Sequence, residues 1–303
     1  MSFSPLTAME VFERYEAIRP RLPTAQFPSE SIAIENLEML IDEFDVFLLD
    51  AFGVLNVGES AIPGAAERLE AFSRLGKKIF VLTNSATYDA TKSLEKYRRF
   101  GFDLVREQVI SSRDAAITAL NSYPDDYIWG VAATSHSGLE ELSRTTRLLG
   151  EDPSDYDMAN AFLFLSSADW TAERQSLLRQ SLQENPRPML VGNPDLVAPR
   201  ERGLSLEPGF FSHEIADQAA IVPDFYGKPF SNVFDRVLEE ELKGTDRRRI
   251  AMVGDTLHTD ILGGAAAGVR TVLVTGHGLL KGMDIPELIE RSGIVPDFIA
   301  ATT

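Results

Sequence analysis

Hydrophobic positions along this chain fall into two rhythms. Unbroken apolar runs of strand length, at residues 46–49, 79–82, 250–253 and 271–274, alternate with stretches at 65–75, 90–100 and 232–242 whose apolar residues recur at helical spacing. Runs that are apolar throughout, rather than at every second position, suit strands covered on both faces, as in a parallel sheet flanked by helices. Gly76 and Gly101 stand where helix C-caps belong. Alternating β and α units joined by right-handed crossovers predict an α/β fold, a doubly wound parallel-sheet core of Rossmann-like type.

The same alternation recurs inside residues 112–224, with strands expected at 127–132, 161–165 and 189–191 and helices near Leu139 and over 172–183. This segment is expected to fold as a second α/β unit inserted into the first. The predicted division is therefore an N-terminal helical extension at 1–41, a discontinuous core at 42–111 and 225–303, and an inserted domain at 112–224. The extension is expected to hold helices at 8–18 and 32–41, interrupted by Arg19-Pro20-Arg21-Leu22-Pro23. No chemistry is visible in it. Packing against the core edge, or against a second copy in a homodimer, is its expected role.

Composition narrows the function classes. A chain of 303 residues with 44% hydrophobic content can bury a sizeable core, which excludes global disorder. Its net charge of −17 disfavours nucleic acid or an anionic membrane as the main partner, because polyanions would be repelled. The inserted segment carries 18 acidic and 8 basic residues, none of them lysine, and so holds −10 of that charge. With no cysteine, disulfides, thiolate metal sites and cysteine nucleophiles are excluded. The N-terminus lacks a basic start followed by an apolar run, and no stretch approaches the ~18 apolar residues of a membrane span. A cytoplasmic location is expected.

The chemistry lies where the strands end. The first run stops at Asp50, the second at Thr83-Asn84-Ser85, the third at Gly254-Asp255-Thr256 and the fourth at Thr275-Gly276. Open α/β sheets bind ligands outside the carboxyl ends of their strands, so carboxylates, an amide and hydroxyls should converge on one rim. An Asp at a strand end can also be a helix N-cap; several such ends together favour a site. Lys228, in Gly227-Lys228-Pro229, is the only lysine between Lys96 and Lys243, and a lysine placed for solubility would have company. It reads as a point cation in the site. Gly263, Gly264 and Gly268 lie in an alanine-rich helix rather than a strand-to-helix turn, so they read as close helix packing and not as a nucleotide fingerprint.

Taken in order, Asp50-Ala51-Phe52-Gly53-Val54-Leu55, Thr83-Asn84, Gly227-Lys228-Pro229 and Gly254-Asp255-Thr256-Leu257-His258-Thr259-Asp260 resemble the four motifs of the haloacid dehalogenase superfamily. The likeness spans roughly 42–111 and 225–303 and is nearest to the class IIA branch of p-nitrophenyl phosphatase and phosphoglycolate phosphatase relatives. It implies an Mg²⁺-dependent phosphomonoester hydrolase acting on a small phosphorylated metabolite. Asp50 would be the nucleophile, forming an aspartyl phosphate, with Lys228 as its cation. Asp50, Asp255 and the Phe52 carbonyl would hold the metal, with Asp260, Thr256 and His258 behind them. Thr83, Asn84 and Ser85 would bind the phosphoryl group. By the same resemblance, 112–224 is a cap, and its Asn193-Pro194-Asp195 turn, an ordinary turn sequence in itself, would place Asn193 and Asp195 near the substrate.

One position departs from the family pattern. Its phosphatases usually carry a second Asp two residues after the nucleophile, to protonate the leaving oxygen and then activate water; here that residue is Phe52. A phenyl ring moves no protons, and general acid–base catalysis is worth about 10²–10⁴-fold. Four readings follow, in order of preference. The first is a phosphatase favouring acidic leaving groups, with His258, His136 or His213 as substitute acids. A non-catalytic phosphometabolite binder comes next, then a haloacid dehalogenase-type hydrolase, which has an aromatic residue at this position but needs no cation. A hydride-transfer Rossmann enzyme, for which no fingerprint exists, comes last.

Overall fold

A computed structural model describes residues 6–219 and 221–303; the first five residues of the expected extension and Ala220 lie outside it. Its main sheet has seven parallel strands in the order β1-β16-β15-β14-β2-β5-β6. These are β1 (Ile32–Asn36), β2 (Val46–Leu49), β5 (Lys78–Thr83), β6 (Val109–Ser111), β14 (Ile250–Gly254), β15 (Arg270–Val274) and β16 (Phe298–Thr302). A hairpin, β3 (Asn56–Val57) and β4 (Ser60–Ala61), follows β2. A second, five-stranded parallel sheet is drawn from the middle of the chain, in the order β13-β10-β9-β7-β8. It comprises β7 (Ile128–Ala132), β8 (Thr145–Leu148), β9 (Ala161–Phe164), β10 (Met189–Val191) and β13 (Asp224–Phe225), so its last strand runs one residue past the expected boundary at 224. A further hairpin, β11 (Val197–Pro199) and β12 (Leu204–Leu206), projects from this unit.

The unbroken apolar runs are explained by two-sided burial. Phe47 and Leu49 of β2 point into one core with Phe72 of the first-face helices, while Val46 and Leu48 point into another with Val233 and Phe234. All four strand residues are buried. Helices α1 (Ala8–Ile18), α2 (Ala65–Arg74), α3 (Ala90–Arg99), α4 (Ser112–Ala119), α5 (Pro153–Asp157), α6 (Ala172–Glu184), α7 (Pro208–Gln218), α8 (Ser231–Arg236), α9 (Leu262–Ala266) and α10 (Ile285–Ser292) complete the two layers. At Gly263 and Gly264 a Cβ would stand 2.8 Å from Phe234 and Met252, respectively, so this pair does serve close packing.

The expected helix at 32–41 is a misreading. Ile32 and Ile34 alternate with period two, and their strand β1 pairs in parallel with β16 at the sheet edge. Only Leu37–Leu40 turns helically, as a single 3₁₀ turn that buries Leu37 and Leu40. The helix expected at 8–18 forms, opened by Thr7 and Glu10 in a reciprocal capping box. Its buried face (Val11, Phe12, Tyr15, Ile18) joins one apolar cluster with Leu257, Ile261 and Leu273 of the main unit and Leu196 and Val197 of the inserted one.

Candidate active site

Chain order fixes where the site sits. From β2 the chain winds outward through β5 and β6, then returns to β14 on the other side of β2 and winds outward through β15 and β16. The β2–β14 junction is thus the point where the winding reverses, the place where open sheets leave a crevice. Leu49 pairs with Val253, so Asp50 and Asp255 leave the sheet side by side. Oxygens of Asp50, Asp255 and Asp260 all lie within 4.8 Å of one another. Lys228 Nζ stands 2.6 Å from Asp50 Oδ1 and 2.8 Å from Asp260 Oδ1, and is fully buried.

Three clustered carboxylates, two of them in contact with one ammonium, set the local electrostatics. Burial, followed by the charge of Asp260, pushes the Asp50 carboxyl up to about 6 against the attraction of Lys228, while burial with Asp260 and Asp50 pushes Asp255 up to about 8. Buried Lys228 loses proton affinity to desolvation but gains more from Asp260, Asp50 and Asp195, and its ammonium is held firmly. Asp255 accepts hydrogen bonds from the Thr256 hydroxyl at 2.9 Å and the Leu279 N–H at 2.7 Å; Asp260 accepts from the Thr256 N–H at 3.1 Å. Gly53 has φ +78° and a Cβ there would fall 2.4 Å from the Asp255 carboxylate, so the loop after Asp50 passes this close only as glycine.

Asn84 ties the two units together. Its amide donates to Asp195 Oδ1 at 2.8 Å and to the Lys228 carbonyl at 2.9 Å, and its Oδ1 accepts from the Lys228 N–H at 2.7 Å. The Asn84 side chain is therefore committed to holding Lys228 and Asp195. Gly227 makes this approach feasible, since at φ +124° a Cβ would overlap Asn84 Oδ1 at 2.4 Å. Asn193 is committed as well: its Oδ1 accepts from Asp195 N–H at 3.0 Å and its Nδ2 donates to Glu207 at 3.1 Å. Asp50, Thr83, Asn84, Ser85, Asn193 and Asp195 all line one cavity of about 290 Å³ between the units.

Comparison with known proteins places this arrangement. A family model described as haloacid dehalogenase-like hydrolase matches residues 47–144, and a HAD-hydrolase-like model matches 225–302. Human glycerol-3-phosphate phosphatase is 30% identical over 88% of this chain and 91% of its own length. The chain belongs to the haloacid dehalogenase-like hydrolases. Within them it falls in the phosphatase branch. The crystal structure of a possible sugar phosphatase from Cytophaga hutchinsonii superposes with a TM-score of 0.79 at 25% identity, covering 90% of this chain and 98% of that one. That of 4-nitrophenylphosphatase from Thermotoga maritima gives 0.68 at 26% identity, covering 87% and 96%.

In this hydrolase none of the candidate histidines lines the cavity. His258, expected behind the metal or as an acid, turns away: its Nε2 meets Glu16 and its ring stacks on Tyr15 at 4.9 Å. Burial lowers its proton affinity and the ring packs against α1. His213 stacks on Phe225 at 4.5 Å, and burial drives it down to about 3. His136 is exposed. What surrounds Phe52 instead is cationic: Lys96 Nζ lies 4.7 Å and the Arg200 guanidinium carbon 5.2 Å from its ring centroid. Lys96, Tyr97, Arg200 and Glu207 line the cavity and went unread in the sequence, although Lys96 is the residue at which the lysine-poor stretch begins.

Proposed function

We propose that this phosphatase hydrolyses small phosphomonoesters with Mg²⁺ through an aspartyl phosphate on Asp50. The contact that carries the reading is Lys228 on Asp50 and Asp260 at the winding reversal, with Asp255 alongside. An Asp50 oxygen attacks phosphorus, the P–O ester bond breaks, and its electron pair leaves with the alkoxide or phenoxide. Water then attacks the same phosphorus and frees the carboxylate, so one hard step becomes two easier ones. Lys228 fixes the attacking carboxylate and offsets charge on the phosphoryl oxygens. Because the Asn84 side chain is committed elsewhere, Thr83, Ser85 and the local backbone are the donors left for the phosphoryl group.

The donor set fits a hard divalent cation: oxygen only, buried, and with more negative charge than Lys228 balances. Asp50, Asp255 and the Phe52 carbonyl would hold it, with Asp260 and Thr256 bracing the loop. When bound, Mg²⁺ supplies charge neutralisation at the phosphoryl oxygens. Residues 112–224 act as a cap whose Asp195 turn seals the cavity against bulk water.

Phosphate release from 4-nitrophenyl phosphate is expected with Mg²⁺ and should vanish on adding EDTA, and Asp50→Asn should reduce it to background. Turnover that survives either change would overturn the reading.

A further inference from the structure

Phe52 brings no proton to a departing alkoxide, so the cavity's other acids decide whether one is supplied. Four carboxyl groups line the wall: Asp50, Glu59, Asp195 and Glu207. Asp50 is the attacking group. Glu207 is held by the Ser205 hydroxyl at 2.6 Å, the Asn193 amide at 3.1 Å and Arg200 at 3.0 Å. Glu59 is 62% exposed and paired with two cations, Lys96 at 3.3 Å and Arg99 at 3.4 Å. The Tyr97 phenol also borders the cavity, but burial pushes it well above its ordinary range, too weak an acid to give up its proton readily.

Asp195 differs from all of these. Among the described residues its carboxyl has one hydrogen-bond partner, the Asn84 amide, which donates to Oδ1 at 2.8 Å. Lys228 pairs with Asp50 and Asp260 instead. Oδ2 is left over, on a residue only partly buried where it borders the cavity. The turn beneath it is well fixed. The Asp195 N–H donates to Asn193 Oδ1 at 3.0 Å, the Leu196 N–H donates to the Tyr15 hydroxyl at 3.1 Å, and a Cβ on Gly209 would fall 2.0 Å from the Pro194 carbonyl oxygen. Asn84 also donates to the Lys228 carbonyl at 2.9 Å, so a single amide joins this carboxyl to the loop whose lysine touches the nucleophile. Burial, with the charges of Asp50 and Asp260, raises the Asp195 carboxyl well above its ordinary range against the pull of Lys228 and Asn84. In-line displacement places the leaving oxygen on the side of phosphorus away from Asp50, toward the wall that the inserted unit contributes.

From this geometry we infer that Asp195, reaching into the cavity from the inserted unit, is the proton donor that Phe52 is not. The inference rests on the phosphomonoesterase reading and adds a catalytic residue to it. As an Asp50 oxygen bonds to phosphorus and the P–O ester bond breaks, the departing oxygen takes the Asp195 proton and leaves as an alcohol. Water then attacks phosphorus, its proton passes to the Asp195 carboxylate, and the bond from phosphorus to Asp50 breaks. Asp50 ends as a carboxylate and Asp195 as an acid, as both began.

The test is turnover of ethyl phosphate and 4-nitrophenyl phosphate by the full-length protein with Mg²⁺, before and after Asp195→Asn. That change keeps an acceptor for the Asn84 amide. An acidic phenol leaves without a proton, so on 4-nitrophenyl phosphate the variant should release about one 4-nitrophenol per molecule in a burst, then run about 100-fold slower while the aspartyl phosphate persists. Ethyl phosphate should show no burst and fall by about 100-fold. Asp195→Glu keeps the proton and should recover about tenfold over the Asn variant on ethyl phosphate. A merely structural turn would slow both esters alike with no burst; that result overturns the inference, as does turnover left unchanged. The same split produced by Lys96→Met in place of Asp195→Asn reassigns the donor and overturns it too. Where the variants fail to fold, the unmodified protein decides. Its kcat/KM should fall in heavy water for ethyl phosphate and hold for 4-nitrophenyl phosphate, and an ethyl phosphate value that does not change overturns the proton transfer. No turnover of 4-nitrophenyl phosphate by the unmodified protein overturns the phosphatase reading instead.

Discussion

At position 52 the ring of Phe lies 4.7 Å from Lys96 Nζ and 5.2 Å from the Arg200 guanidinium carbon, two residues after Asp50, and this bears on what replacing it achieves. A carboxylate introduced there would meet Lys96 and Arg200, which would hold it ionised. It would serve as a base for water more readily than as an acid for a departing alkoxide. Phe52→Asp is therefore expected to raise kcat on ethyl phosphate by only about tenfold, short of the roughly 10²–10⁴ that a full acid–base pair contributes. Adding Lys96→Met should increase the gain, and steady-state phosphate release from ethyl phosphate measures both. Single residues on strand ends were the most legible part of this site. Asp50 and Thr83 announce themselves because each follows an apolar run directly, and Asp255 because only Gly254 separates it from one. Lys96, Arg200 and Glu207 do not, since only folding brings a helix, a hairpin and a helix start to one wall.

Elements were legible where burial had one clear period. The β2 and β14 runs read as strands because both faces are covered. β1 did not, because as an edge strand it is half exposed and its Ile32, Ile34 and Leu37 mimic helical spacing over a short window. Helix α7 illustrates a different element-level consequence. His213 on α7 is buried against Phe225, with Arg21 and Arg14 opposing its protonation and Asp217 favouring it, and folding takes it from about 6.5 down to about 3. The folded state then binds fewer protons than the unfolded one across that interval, so stability is full above pH 6.5 and is lost as pH falls toward 3. By pH 4.5 the loss at this residue should reach about 2–3 kcal/mol. His213→Phe should remove that share, and the difference between urea midpoints at pH 7 and pH 4.5, compared for the two proteins, checks it.

Across the whole molecule, α1 and the turn that follows it at Arg19–Arg21 act as a strap. Arg14 and Arg21 hold Asp217 of the inserted unit at 2.6 and 2.5 Å, Glu16 holds His258 of the main unit, and the Tyr15 hydroxyl accepts the Leu196 N–H at 3.1 Å. Leu196 directly follows Asp195, so the extension positions the turn whose Asn193 and Asp195 line the cavity. The exposed ion pairs contribute little individually, whereas the Tyr15 hydroxyl satisfies a buried donor. Tyr15→Phe should cost about 1–2 kcal/mol in urea unfolding and raise KM more than it lowers kcat, since the turn shifts and the Asp50 pair does not. This role was invisible in the sequence: nothing in Ala8–Ile18 carries chemistry until two separate surfaces are laid against it.

The winding order also has a consequence for how the molecule is made. Strand β2 leads into Asp50, the proposed nucleophile, yet its partner β14 is translated about two hundred residues later, roughly 10–40 s at ordinary synthesis rates. Throughout that interval a ribosome presents β2 and β5 as a half-built sheet with one apolar edge open, the condition in which strands pair with the wrong neighbour. Closing that edge and delivering Asp255 and Asp260 are a single event. A nascent chain therefore holds the proposed nucleophile early but gains Asp255 and Asp260 only near the end of synthesis, and release before β14 is expected to yield a fragment that is both inactive and adhesive.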